Sequence, residues 1–409
     1  VKLDELVRRT LHDMAQESGP PSGDLTGRVV AARARRRKRT VCAVAFASTV
    51  VVTAAITVPA LTLGGSPTGQ AGVTRTQDVL ARPDQSPPRE LIAAGRTAVA
   101  AWYTAQTVKD GKGVLHQRTW HLYNPTTGRY EKTPWAWVAV APGMRTAAVL
   151  EGELPARRIG LLDLATGKVT RWIDVAHPVA GIEWSPDGSR LVATAYGKNP
   201  DRSDDQPQDP ERYGSRIGFF LVDGQSGAVG PLRELPQGRG DSSGGDEMGF
   251  LFGNRREDLR FNHDGTLLYV DLVMGGAGEN RTWFTLGGDR TEPPAKEKYA
   301  SGTEAGLSPD GRLLAGEFDG EGGGIASQIV DPATGGKVGT VPGQQLLAWA
   351  DNQRLIAWSC APQKCSGKNE FRNRLVLVDV RSDRTVPLSG FREPDEDDPG
   401  RWTPVFATR

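Results

Sequence analysis

WSPDGSRLVATA, residues 184–195, returns as LSPDGRLLAGEF at 307–318 and as FNHDGTLLYVDL at 261–272. Looser copies stand at 140–151 (VAPGMRTAAVLE) and 349–360 (WADNQRLIAWSC). A turn that recurs with the same kind of strand behind it implies a chain built from repeated units, and no other feature narrows the fold as far. Each turn residue has a task. Proline presets φ at the second position, Asp187, Asp264 and Asp310 tolerate the third, and Gly188, Gly265 and Gly311 supply a positive φ before the next strand. Their repetition marks these aspartates and glycines as structural turn residues.

A second turn alternates with the first. It reads YNPTTG (Asn124, Gly128), LDLATG (Asp163, Gly167), VDGQSG (Asp223, Gly227) and VDPATG (Asp331, Gly335), with VDVRSD at 378–383 lacking the glycine. An Asp or Asn in that place accepts hydrogen bonds from amides two or three residues on. Two alternating turn types give units of four strands, and about six such units fit between Ile92 and Arg409. The W/L-S-P-D-G turn with its apolar strand resembles the TolB-like, WD40-like β-propeller repeat. The resemblance covers about residues 92–409 and implies an all-β propeller of about six four-stranded blades. A content of 50 Gly and 28 Pro suits so many turns.

Ahead of this region the sequence changes character. Val41–Leu63 is apolar and uncharged, and as a helix it is about 35 Å long, enough for one membrane crossing. RARRRKR, residues 33–39, precedes it and stays on the cytoplasmic side, which puts the rest of the chain outside. A cleaved signal peptide has a shorter apolar core and a shorter basic region, so a single-pass anchor is expected. The expected organisation is a cytoplasmic arm (1–40), a transmembrane helix (41–63), a Gly/Pro-rich linker (64–91) and the propeller (92–409). In the arm, Leu3, Leu6, Val7, Leu11 and Met14 share one helical face, too small to fold alone, that calls for lipid or a protein partner. This arrangement also looks like the membrane-anchored propellers of high-GC Gram-positive bacteria.

Catalytic and metal-binding patterns are weak. GDSSG at 240–244 matches a nucleophile pattern but lacks the strand and helix that the Ser requires, and RGD at 239–241 overlaps it by chance. His116, His121, His177 and His263 show no zinc-site spacing. The acidic run Asp201, Asp204, Asp205, Asp209 and Glu211 lacks the spacing of a calcium loop and reads as a solvated loop. Cys360 and Cys365 are too few for zinc and, in an oxidising compartment, are expected to pair. No cofactor is expected. With 50 Lys+Arg against 49 Asp+Glu, no global field favours nucleic acid.

Two polar stretches, 197–215 and 236–258, are too long for simple hairpin connections and are candidate binding loops. The leading expectation is a non-enzymatic, membrane-anchored scaffold that binds a protein or envelope ligand outside the cell. An alternative is a transmembrane signal transducer whose arm engages a cytoplasmic regulator such as a sigma factor, although no zinc-binding anti-sigma motif follows His12. An enzyme using a central propeller pocket is a third class.

Overall fold

The computed structural model describes residues 78–111, 113–203, 216–235, 256–271, 281–300, 303–319, 325–361, 365, 369–394, 398 and 400–409. The expected arm, the apolar span at 41–63 and the partner-helix face Leu3, Leu6, Val7, Leu11 and Met14 lie outside the described residues, as does GDSSG. Among the described residues no helix is long and apolar enough to cross a membrane. Chain contacts divide the protein into Val1–Pro67 and Thr68–Arg409. The second unit is all-β and propeller-like, a succession of antiparallel meanders.

Strand pairing forms five sheets among the described residues. In the first, the long strand Thr97–Lys109 has Val114–Asn124 on one edge and the C-terminal strand Trp402–Thr408 on the other, with Arg129–Lys132 outermost. Residues distant in sequence thereby close the unit on itself. The second sheet is two meanders that share Lys168–Trp184. The first half of that strand pairs with Ala156–Asp163 and the second half with Arg190–Tyr196. The third sheet contains Arg260–Phe261, Leu267–Asp271, Arg281–Thr285 and Arg290–Thr291. Leu314–Asp319, Ala326–Val330 and Lys337–Pro342 form the fourth, where a bridge from Leu307 to Leu314 marks a further inner segment. The fifth contains Gln345–Trp349, Arg354–Cys360, Asn373–Asp379 and Ser382–Pro387.

The expected linker ends earlier than its composition suggests. Val79–Leu80 pairs with Ala93–Ala94, and the Gln85 side chain accepts the amides of Arg89 and Glu90 at 2.8 and 3.1 Å. Proline and polar residues here make a compact turn rather than a tether, because one side chain satisfies the backbone that the prolines leave unpaired.

The core lies between sheets. Ala93, Ala100 and Trp120 of the first sheet pack with Val138, Ala147 and Val149 of the second. Leu150, Ile159 and Ile173 join Ile182, Leu191 and Phe220 between the two meanders of the second sheet. Val192 and Phe219 meet Phe261, Leu268 and Phe284 of the third, and Ala315 and Val341 of the fourth meet Leu346, Leu355 and Val376 of the fifth. Ile92, Val99 and Trp102 of the first sheet pack with Leu347, Trp358 and Leu375 of the fifth.

Antiparallel meanders put alternate connections at opposite ends, here called the turn end and the loop end. At the turn end Gly188, Gly265 and Gly311 have φ of 72°, 73° and 66°. Neighbouring turns touch there. Pro142 packs on Gly188 and Pro186 on Gly265, the positions a Cβ would approach at 3.4 and 3.3 Å.

Candidate functional site

The repeated aspartates are satisfied locally. Asp187 accepts bonds from the Ser185 hydroxyl (2.5 Å), the Ser189 amide (3.0 Å) and the Ser189 hydroxyl (2.7 Å), which hold its carboxyl down at about 2. Asp264 accepts from Thr266 N at 3.0 Å, and Asn262 replaces the motif serine by accepting the Leu267 amide at 2.9 Å. Asp310 accepts from the Ser308 hydroxyl at 2.7 Å, which lowers its carboxyl in the same way. In the second turn type Asn124, Asp163, Asp223 and Asp331 accept the amides of Thr126, Thr166, Ser226 and Ala333 at 2.9, 2.8, 2.6 and 2.7 Å. These oxygens are engaged by their own turns and converge on no common point. The histidines are dispersed: His121 stacks on Trp102 at 3.7 Å, and His177 lies 6.3 Å from the Phe220 ring.

At the loop end the connections do converge. The strands Thr97–Lys109 and Val114–Asn124 form a long ribbon, and Arg202–Ser203 adds to its edge by pairing with Leu115 and Val114. Arg202 makes a bidentate contact with Asp110 at 2.6 and 2.7 Å and reaches Glu153 at 3.5 Å. The segment leaving Tyr196 therefore crosses the neighbouring connection and docks on the first sheet.

Beneath it lies a charged cluster. Arg256 donates Nε to Asp258 Oδ2 at 2.8 Å, Nη1 to Asp201 and Nη2 to the Ala180 carbonyl. Arg118 meets the other oxygen of Asp201 at 2.7 Å. Trp137 sits between the two guanidiniums, 3.8 Å from Arg256 and 5.1 Å from Arg118. The Tyr196 hydroxyl donates to Asp258 Oδ1 at 2.9 Å and accepts the Glu257 amide at 2.9 Å. Burial, then the charge of Asp258, pushes the Tyr196 phenol well up. Gly181 is required here, because the Asp258 carboxylate occupies the space of a Cβ. Asp201, first of the acidic run that reads as solvated, is only 7 % exposed, since two arginines neutralise it. Asp201 roots one long polar stretch and Arg256 with Asp258 root the other. The sequence reading missed this cluster. Its only local signal was the Arg-Glu-Asp triplet at 256–258, placed directly before an inner strand.

A second polar group lies between the second and third sheets. Glu183 Oε2 is 3.7 Å from Arg260 Nε, Arg260 reaches Asp271 at 3.9 Å, and Arg281 meets Asp271 at 2.9 Å. The Glu183 side chain keeps 39 % of its surface exposed, yet its surroundings push its carboxyl up to about 7 against the pull of Arg260. Among the described residues, Glu183 and Asp271 each face an arginine.

Cys360 and Cys365 are joined at the loop end of the fifth sheet, with Cα atoms 5.5 Å apart.

No family model and no curated protein matches the chain. Among solved structures it is similar to the β-propeller domain of Cps50 (Swd1) from Myceliophteria thermophila, at 14 % identity and a TM-score of 0.36, over 73 % of this chain and 87 % of that one. It is also similar to TolB from Acinetobacter baumannii, at 16 % identity and a TM-score of 0.36, over 76 % of this chain and 67 % of that one.

Proposed function

We propose that the chain is a membrane-tethered, extracytoplasmic propeller of six blades that binds a protein or envelope ligand at its loop end and catalyses no reaction. Six blades follow if the second sheet is counted as two, divided at the shared strand Lys168–Trp184, and the Leu307 segment completes the fourth sheet. The tether rests on the apolar residues 41–63 behind the basic residues 33–39.

One observation carries the binding role. Asp201, Arg256 and Asp258 fasten the roots of both long polar stretches at one end, around Trp137. The chain enters at the other end, where Asp78 holds Arg354 beside the turn of Asp351 at 2.6 and 3.0 Å. Recognition concentrates where connections meet on a rigid scaffold, and the roots of both long polar stretches meet at the loop end.

The test uses the full chain in detergent as bait for cross-linked envelope extract, beside Arg256→Gln and Arg96→Glu, a turn-end residue whose amide donates to the Ala350 carbonyl at 2.9 Å. A partner captured by wild type and Arg96→Glu but not by Arg256→Gln supports the reading. Equal capture by all three, or loss only with Arg96→Glu, overturns it. Release of the protein from membranes by alkaline carbonate overturns the tether separately.

A further inference from the structure

We propose that the Cys360–Cys365 disulfide is a redox-sensitive latch on the closing strand Trp402–Thr408, opened by a dithiol reductant. The argument begins with where its sulfurs stand. Cys360 ends the strand Arg354–Cys360, is 4 % exposed and pairs with Asn373. Cys365 remains half-exposed, and its Sγ lies 3.6 Å from Gln344 Nε2.

From Gln344 an unbroken polar chain runs to the closing strand. Gln344 Nε2 also donates to the Glu370 carbonyl at 2.8 Å, and its Oε1 accepts from Asn373 Nδ2 at 3.3 Å. Asn373 Oδ1 accepts Arg392 Nε at 2.6 Å, and Arg392 Nη1 donates to the Trp402 carbonyl at 3.0 Å. The Arg392 guanidinium lies 3.9 Å over the Trp358 ring, and Trp358 in turn meets Trp402 edge-on at 5.3 Å. Asn373 and Arg392 are buried, where each bond between them is shielded from water. The disulfide fixes Cys365 and through it the start of the chain.

The opening step balances. A thiolate of the dithiol attacks the accessible Cys365 Sγ, the S–S bond breaks, and the electron pair leaves on Cys360 Sγ, which takes a proton. The second thiol of the reductant then attacks its own sulfur in the mixed disulfide and expels Cys365 as a thiolate, which is protonated. The dithiol ends as a disulfide, and the protein disulfide has gained two electrons and two protons. The freed Cys365 no longer accepts from Gln344, and the polar chain through Asn373 and Arg392 loses its outer anchor.

Hydrogen exchange of the full chain in detergent tests this, comparing Trp402–Thr408 with the inner strand Trp137–Val140. On reduction with dithiothreitol, and equally in Cys365→Ser, exchange in Trp402–Thr408 is expected to rise about tenfold while Trp137–Val140 is unchanged. Gln344→Ala is expected to produce the same rise in the oxidised protein and to leave reduction with nothing to add. Unchanged exchange in reduced wild type, or equal acceleration of both strands, overturns the latch. So does a further rise when Gln344→Ala is reduced.

Discussion

Two seams of the ring are built in opposite ways. Where the fifth sheet meets the first, three indoles nest edge to face: Trp102 with Trp402 at 6.4 Å and Trp402 with Trp358 at 5.3 Å. Leu347, Ile356, Leu375, Leu377 and Leu388 surround them, all buried. Backbone pairing of Trp402–Thr408 with the strand from Thr97 runs along the same seam, and Thr97 Oγ1 donates to the Trp349 carbonyl at 2.6 Å. Gly95, at φ 53°, lets the chain pass directly over the Ala350 carbonyl.

Between the third and fourth sheets the described contacts are polar. Asn262 Nδ2 and the His263 amide both donate to Glu297 Oε1, at 3.2 and 3.3 Å, and Arg281 reaches the Thr303 carbonyl at 3.3 Å. Burial raises the Glu297 carboxyl. The two seams also differ in chain connectivity. The third and fourth sheets are consecutive in sequence, so residues 292–300 can fill their seam with local turns such as Ala300 N to Glu297 O at 3.0 Å. The fifth and first sheets are joined from opposite ends of the unit. Their contact must repay the large loop-closure entropy by burying apolar surface.

The largest expected effect is therefore at the closing seam. Trp402→Ala removes a fully buried indole and is expected to cost about 3–5 kcal/mol in denaturant unfolding. Glu297→Ala, which removes one acceptor shared by the Asn262 amide and the His263 N–H, is expected to cost about 1–3 kcal/mol. If Glu297→Ala proves the more damaging, closure is not where the stability lies and the contrast between seams fails.

A titration sharpens the contrast. Glu183 and Glu297 have folded carboxyls raised above their ordinary values, Glu183 from 4.5 to about 7. The folded state thus holds their protons more tightly than the unfolded chain, and the stability this gives is present at low pH and lost as pH rises through that window. Glu183→Gln is expected to flatten the decline in stability between pH 4.5 and 7, read from urea midpoints. Trp402→Ala should leave the slope unchanged, since no titrating group is altered by it. An unchanged slope in Glu183→Gln removes Glu183 from the account.

How far the sequence was readable follows the same division. The turns were legible because their bonds are local: Asp187 is satisfied within two residues on either side, and the same letters recur wherever that happens. The motif tryptophan was visible, but not its use. Trp184 Nε1 donates to the Ala139 carbonyl and Trp349 Nε1 to the Gly306 carbonyl, stitching each inner strand to the one before it at 3.1 and 3.0 Å. Phe261 and Leu307 hold that place on either side of the polar seam and have no such donor. The loop-end cluster was hidden because Arg118, Asp201 and Arg256 lie far apart in sequence and meet only when the ring forms. Composition also put residues 78–91 in a tether, and the pairing of Val79–Leu80 with Ala93–Ala94 and the side chain of Gln85 reveal why they fold.

The smallest expected effect belongs to the turn aspartates, where neither seam is involved. Asp187 is exposed, so solvent screens its charge, and Asp187→Ala is expected to cost at most about 1 kcal/mol through the lost bonds to Ser185 and Ser189. Its folded carboxyl lies below the ordinary value, at about 2 rather than 3.8. The stability it contributes is therefore present above pH 3.8 and lost as pH falls toward 2, opposite in sign to that of Glu183. Differential melting of wild type and Asp187→Ala should converge across that acid window and stay parallel above it. The turn holds one link between neighbouring inner and second strands, and its loss leaves both seams intact. A loss as large as that of Trp402→Ala would mean that the turns, touching one another through Pro142 and Pro186, act together as a hoop that carries the ring.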